Sequence, residues 1–483
     1  MSLIFDKLYP TGCHINGVWQ AADNNQTIQI TNPADNTVIA SVPDASDVQI
    51  NKAIDTASTA FRSWRNIDPY QRATYLHQWR KLIIENLDDL ATLLTTEQGK
   101  PLAEAKAEII QGVSYLEWFA GQGKRTDGDI IPSSSTDSKL LVVKEPIGVT
   151  AIITPWNFPV SMILRKISAV LAAGCTAVIK PSELTPLSAI ALIELARQAQ
   201  IPAGVINLVT GEPKKIGKLF TMSNIIKKIS FTGSTKVGKL LMQECAHNIQ
   251  KISLELGGHA PFIVCQDANI KSAVDGLIKS KFRNSGQTCI CPNRLYLHQD
   301  IHHEFTTLLL EEITKLKLGN GLDAATTQGP LINHQAVDKA LLHVTDAVSK
   351  GAKVLTGGSR AREIGDNYFS PTVLDKVSED ALIMQQETFA PVIPISTFTD
   401  IDEVIAKANT SNYGLASYFY TENLSLGFKI SQALEYGMVA VNSPQFSSAC
   451  APFTGIKESG IGCEGSKYGI DEYLQLKLIK IDI

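Results

Sequence analysis

The chain has 483 residues, more than one hydrophobic core usually holds, so two or three domains are expected. Its net charge of −4, from 44 basic and 48 acidic residues, argues against a nucleic-acid surface, and its 8 irregularly spaced cysteines against a disulfide scaffold or a structural zinc site. No run of 18 apolar residues occurs, and Met-Ser-Leu-Ile-Phe-Asp-Lys at the N-terminus lacks a signal-peptide pattern, so a cytoplasmic protein without membrane spans is expected.

Residues 14–45 read as short strands and turns, with Asn-Gly and Asn-Pro supplying the turn chemistry. From Ser46-Asp-Val the spacing becomes helical. A long helix is predicted after Asp68-Pro-Tyr, with Leu76, Leu82, Ile83, Leu87, Leu90 and Leu94 as its apolar stripe. Gly99-Lys-Pro101 breaks it, and another helix runs from about Ala103 to Phe119. Residues 124–137 are polar and turn-rich, and Ser138-Lys-Leu-Leu-Val-Val-Lys-Glu is β-rich, so an exposed hairpin is expected.

Next, short apolar strands alternate with helices: 148–154, helix 160–173, 176–180, helix 187–199, 204–210, 229–232, helix 235–245. That rhythm predicts a parallel sheet covered on both faces, with ligands at the carboxyl ends of its strands. The alternation restarts at Ala260, so a boundary is placed near Gly257-Gly258. The tail after Glu464 ends in alternating residues and reads as an edge strand that could pair with another subunit.

Asn284-Ser-Gly-Gln-Thr-Cys289-Ile-Cys291-Pro-Asn-Arg294 stands out. A structural cysteine normally lies inside an apolar run, as Cys265 does, whereas Cys289 sits in a small, polar turn. Such a setting can lower a thiol's pKa and expose the sulfur. A lone cysteine is more often a core hydrophobe, so the remaining groups decide. Asn157 lies between two prolines just past a buried strand, as a fixed amide donor or a turn residue. Glu255 ends an apolar strand, as a partly desolvated general base or a charge on a solvent face.

Asn-Ser-Gly-Gln-Thr-Cys289 resembles the nucleophile motif of the NAD(P)-dependent aldehyde dehydrogenases. Thr154-Pro-Trp-Asn157-Phe-Pro, Phe231-Thr-Gly-Ser-Thr-Lys-Val-Gly238 and Leu254-Glu255-Leu-Gly-Gly258 match the same family in the same order. The likeness runs from about His14 to the C-terminus and is greatest to the succinate-semialdehyde dehydrogenase branch. It implies an α/β fold of two doubly wound domains, a variant Rossmann cofactor domain (1–125 and 147–257) and a catalytic domain (258–457). A small β oligomerisation arm and tail (126–146 and 458–483) would complete it, in a homotetramer built as a dimer of dimers.

The resemblance implies Cys289 as nucleophile, Asn157 with the Cys289 N–H as oxyanion donors, and Glu255 as the base that activates water. The G-x-G-x-x-G fingerprint is absent, and the cofactor is expected in a variant mode. Gly233, Ser234 and Gly238 would lead into a helix whose N-terminus receives the pyrophosphate. Thr154 and Trp156 belong to the same site. Lys180 and Glu183 match adenosine-ribose contacts, Glu387 holds the nicotinamide ribose, and Phe389 packs beside it. Glu183 would repel a 2′-phosphate whereas Lys180 and Ser182 could hold one, so either NAD or NADP is expected, with a slight lean to NAD. No metal is expected.

Arg165, Arg283 and Ser448 match groups that hold a substrate carboxylate, a task suited to the arginine fork. The activity implied is oxidation of succinate semialdehyde to succinate through a thioester on Cys289. The alternatives are glutarate semialdehyde, another aldehyde, or a non-catalytic binding protein on the same fold. Thr454 replaces the usual glycine, Cys463 stands where arginine is common, Ala390 replaces a glycine after Phe389, and Asn442 to Phe446 is unusual, which leaves chain-length preference open. Cys291 could form a regulatory disulfide with Cys289, although C-x-C geometry is strained.

Overall fold

The structure is a computed structural model that describes residues 12–446 and 448–483. The N-terminal start and Ser447, within the Ser447-Ser-Ala-Cys450 motif, lie outside the described residues. Two sheets organise the chain. The first has eight strands, and its centre is five parallel strands in the order Ile206–Leu208, Thr176–Lys180, Val149–Ile153, Ile226–Thr232, Lys251–Glu255. Cys13–Ile15 closes one side antiparallel, with Val18–Gln20 beyond it, and Gly460–Ile461 closes the other. The second has seven strands, with Lys353–Thr356 antiparallel at one edge and six parallel strands following: Thr372–Asp375, Val392–Phe398, Pro292–His298, Ala260–Val264, Ala416–Tyr420, Met438–Val441.

This is the doubly wound α/β architecture expected, and burial explains the strand sequences. Thr176–Lys180 and Ala260–Val264 are buried at every position, so both faces of each sheet need apolar residues. The helix Pro159–Ala173 is likewise buried throughout, which explains why most of its residues are apolar. Proline at its first position and Gly174, at φ 92°, bound it.

The long helix expected after Asp68 is two helices, Pro69–Glu85 and Leu87–Gln98. Asn86 breaks it: its Nδ2 donates to the Leu82 carbonyl at 2.8 Å, and its backbone leaves the helical region. The hairpin forms as Asp129–Ile131 on Ser138–Pro146. The tail strand Leu474–Asp482 pairs antiparallel with Ser138–Pro146 of its own chain and forms the outer edge of that three-stranded sheet.

Three loops leave neighbouring carboxyl ends of the first sheet side by side: residues 154–157, 232–234 and 256–257. They face the loop that precedes Pro292–His298 in the second sheet, and a cleft of about 520 Å³ opens between them.

Candidate active site

The helix Ile270–Lys281 stops at Phe282, and the chain then turns through the left-handed region at Asn284 (φ 50°), Ser285 (φ 54°) and Gly286 (φ 77°). Each non-glycine residue so placed costs about 1–3 kcal/mol. Hydrogen bonds hold the turn. Asn284 N donates to Glu104 Oε2 at 2.7 Å, Ser285 Oγ to the Gly329 carbonyl at 2.8 Å, and Gln287 Oε1 accepts from Ile332 N at 2.9 Å. The turn brings Cys289 to the cleft. Gly258 fits beneath it, where a Cβ would lie 2.0 Å from the Cys289 carbonyl oxygen.

Cys289 keeps some contact with solvent, but the protein around it controls its titration. Burial pushes the thiol up to about 12, only partly offset by Arg165 and Arg283, while Glu387 and Glu255 add to the rise. The expectation that the polar turn lowers this pKa is therefore overturned: the residues of the turn are polar, but the protein packed around the sulfur penalises the thiolate. Glu255 is also buried, one of its carboxyl oxygens has no partner among the described residues, and burial followed by repulsion from Glu464 raises its pKa well above the carboxylate range.

Asn157 is buried and faces the same cleft. Its Nδ2 donates one hydrogen to the Gln287 carbonyl at 3.0 Å, leaving the second free, and its own carbonyl accepts from Asn284 Nδ2 at 3.1 Å. Among the described residues the Cys289 N–H has no protein acceptor. Two donors beside one thiol can hold a developing oxyanion.

The two arginines differ. Arg165 is buried, ion-paired to Glu464, and 4.1 Å above the Phe453 ring, with Nη2 3.1 Å from Met162 Sδ. Lys166 pairs with the same carboxylate. Arg165 is thus already engaged, because an unpaired guanidinium at that depth would be costly. Arg283 is part-buried, stacks 4.8 Å from the centre of Phe158, and has no ion-pair partner within 4 Å among the described residues. Ser448 does not join them. It is exposed, 3.0 Å from Cys450 Sγ, and lines a separate surface groove on the helix Leu102–Gln122. Cys291 is fully buried, its sulfur 3.7 Å from the Lys281 carbonyl, and both thiols are free in this structure.

At the other end of the cleft Ser234 caps the helix Thr235–Cys245, its hydroxyl accepting from Val237 N at 3.4 Å. Gly233 lines the cleft, and Gly238 lets that helix approach Leu256, whose Cδ2 would be 2.4 Å from a Cβ. Glu387 Oε1 accepts from Gly258 N at 3.0 Å, and burial raises its pKa to about 7. Phe389, at φ 60°, meets Trp156 edge-on with ring centres 5.7 Å apart. The buried Thr232 and Thr154 hydroxyls lack partners among the described residues. Lys180 Nζ is 2.8 Å from Glu183 Oε2, and the Ser182 hydroxyl accepts from Leu184 N at 3.2 Å.

Sequence reasoning missed Glu464, Glu104 and Lys339. Lys339 lines the cleft from the helix His334–Ser349, and burial lowers its pKa. None has a local signature, since each gains its role from segments far away in sequence.

The family model for the aldehyde dehydrogenase family matches residues 19–479. The chain belongs to the aldehyde dehydrogenase family. It is 51% identical to a glutarate-semialdehyde dehydrogenase of Pseudomonas putida and 50% identical to the NADP(+) succinate-semialdehyde dehydrogenase of Escherichia coli, each over 100% of both chains. A crystal structure of an E. coli NADP-dependent enzyme superposes with a TM-score of 0.98 at 49% identity, over 99% of each chain. That of a Burkholderia pseudomallei succinate-semialdehyde dehydrogenase gives 0.97 at 46%, over 99% of this chain and 98% of the other. In this aldehyde dehydrogenase the raised thiol pKa has a direct consequence. Alkylation of Cys289 by iodoacetamide in the free enzyme is expected to rise about tenfold per pH unit from pH 6 to 9. A plateau below pH 8 would mean that the thiol is already ionised.

Proposed function

We propose that this enzyme oxidises succinate semialdehyde to succinate with NAD or NADP as acceptor. The observation that carries the substrate is Arg283, the one of the two candidate arginines with no carboxylate within 4 Å among the described residues, stacked on Phe158 and near enough to Cys289 to influence its thiol. An aldehyde with a carboxylate at its far end supplies that missing charge.

The Cys289 thiol gives its proton to solvent as Sγ adds to the aldehyde carbon, and the carbonyl oxygen becomes an oxyanion between Asn157 Nδ2 and the Cys289 N–H. The bound nicotinamide cofactor supplies the acceptor for the hydride that leaves this carbon. A thioester on Cys289 remains. Glu255 removes a proton from water, the oxygen adds to the thioester carbon, the C–S bond breaks, and the acid leaves. The helix that starts at Ser234, the unpartnered Thr232 hydroxyl, Glu387 and Phe389 suit the cofactor, and Thr154 and Trp156 belong to the same wall. The Lys180–Glu183 pair cancels the acidic charge that would repel a 2′-phosphate, which favours tolerance of NADP.

Residues 1–125 and 147–257 are proposed as the cofactor-binding unit, 258–457 as the catalytic unit, and 126–146 with 458–483 as an oligomerisation arm and tail. Support for the arm comes from the tail strand, where Leu476 and Leu478 are 72% and 62% exposed. No described helix is long and apolar enough to cross a membrane, in keeping with a cytoplasmic enzyme.

Glutarate semialdehyde, one methylene longer, is the second reading, favoured by the relative from P. putida. Initial rates with succinate semialdehyde, glutarate semialdehyde and hexanal, each with NAD and NADP, separate the possibilities, and a preference for hexanal overturns both. Arg283→Ala is expected to raise KM for the charged substrate about 10- to 100-fold, the worth of a charge-assisted hydrogen bond, and to leave hexanal within twofold. Equal effects on both would make Arg283 structural. Glu255→Gln is expected to give a burst of one reduced cofactor per site and then stall at the thioester, and steady turnover without a burst would remove Glu255 from hydrolysis. Leu476→Lys with Leu478→Lys is expected to reduce the assembly size by sedimentation, and an unchanged size would dissociate the arm from assembly.

A further inference from the structure

Lys100 occupies an unusual position. Gly99, at φ 95°, ends the helix Leu87–Gln98, Pro101 precedes the helix Leu102–Gln122, and the lysine between them is fully buried. A buried ammonium is costly unless it is fully partnered. Its Nζ pairs with Glu108, lies 4.0 Å from the centre of the Phe158 ring, and donates to the Asn157 carbonyl at 2.7 Å. The other oxygen of Glu108 accepts from Val160 N at 2.9 Å and Ser161 N at 3.1 Å, the opening N–H groups of the helix Pro159–Ala173. Lysine and glutamate together therefore grip the chain from 157 to 161: the cation takes a carbonyl, the anion takes two amides, and the aromatic ring between them lies against the cation.

Resting on the reading of Asn157 as an oxyanion donor, we infer that Lys100 is the positioning residue that fixes the peptide of Asn157 so that its amide points at the oxyanion. The lysine does not touch substrate. Its charge is matched by Glu108, so its effect on the reacting atoms is geometric rather than a long-range field. Burial draws its pKa down while Glu108 opposes that shift, and the contact to the carbonyl is a short, charge-assisted bond of the stronger class. Asn284 Nδ2 reaches the same carbonyl from the nucleophile loop. Without Lys100 the Asn157 carbonyl keeps only that neutral partner, and a shift of about 1 Å in a catalytic donor can cost about a hundredfold in rate.

A double-mutant cycle between Lys100→Met and Asn157→Ala tests this. Lys100→Met, similar in length and uncharged, is expected to lower kcat about 30- to 100-fold with aldehyde KM within about threefold. In the Asn157→Ala background the same change is expected to cost less than about threefold, because the group it positions is gone. Alkylation of Cys289 by iodoacetamide, a displacement that forms no oxyanion, should be unchanged by Lys100→Met. Lys100→Arg, which keeps a cationic donor, should recover part of the lost kcat. Undiminished loss in both backgrounds, or alkylation falling in step with turnover, overturns the inference, the latter by showing general loosening of the site. If Lys100→Met does not fold, Lys100→Gln is read through the same cycle. Should Asn157→Ala alone leave turnover intact, the oxyanion reading itself fails. A strong Asn157→Ala defect with an additive Lys100 effect removes only the role of Lys100.

Discussion

The site depends on a reciprocal pair of hydrogen bonds between two loops that belong to different sheets. Asn157 Nδ2 donates to the Gln287 carbonyl, and Asn284 Nδ2 donates back to the Asn157 carbonyl, at 3.0 and 3.1 Å. One loop follows a parallel strand of the first sheet, and the other precedes a parallel strand of the second. Neither bond is strong alone, worth about 1 kcal/mol net. Together they fix the separation and tilt of the amide donor relative to the thiol. They also compensate the left-handed backbone at Asn284 and Ser285, which would otherwise relax and carry Cys289 away from the cleft.

The electrostatics follow from burial rather than from local polarity. Glu255, Glu464, Arg165 and Lys166 form a dry cluster of two acids and two bases. Arg165 and Lys166 hold Glu464 below the usual carboxylate range, while burial and Glu464 drive Glu255 above it. Of this cluster Arg165 draws the Cys289 thiol down and Glu255 pushes it up, both against the larger rise that burial imposes.

Much of this was legible in the chain, and the limits are physical. Strand and helix alternation and the restart near Gly257-Gly258 rest on periodicity, which is local, and the pairing of Asn157 with Cys289 was implied by the resemblance that their short motifs carry. The break at Asn86 also had a local signal, an asparagine followed by Asp88 and Asp89, that the apolar stripe outweighed. The Lys166–Glu464 pair spans 298 residues, and no local pattern announces it. The thiol pKa misled for the same reason: Ser285, Thr288 and Gln287 are polar, but the segments that exclude water from them lie elsewhere in the sequence. Lys100, between Gly99 and Pro101, reads as part of a helix breaker, and only the fold turns that breaker into a contact with Asn157.

On the proposed reading, the contrast between the two arginines lets the site select a charged substrate without keeping an empty charge in a dry cavity. Arg165 is deep, so it comes with its own carboxylate, Glu464, and its charge is spent before any ligand enters. Arg283 is shallower. Its guanidinium lies against a ring face that attracts cations but accepts no ordinary hydrogen bond. On the proposed reading a substrate carboxylate would give that guanidinium a fork-to-fork pair in surroundings of low polarity. A neutral aldehyde would desolvate it and return nothing, so discrimination would arise as much from the cost imposed on the wrong substrate as from the bond offered to the right one.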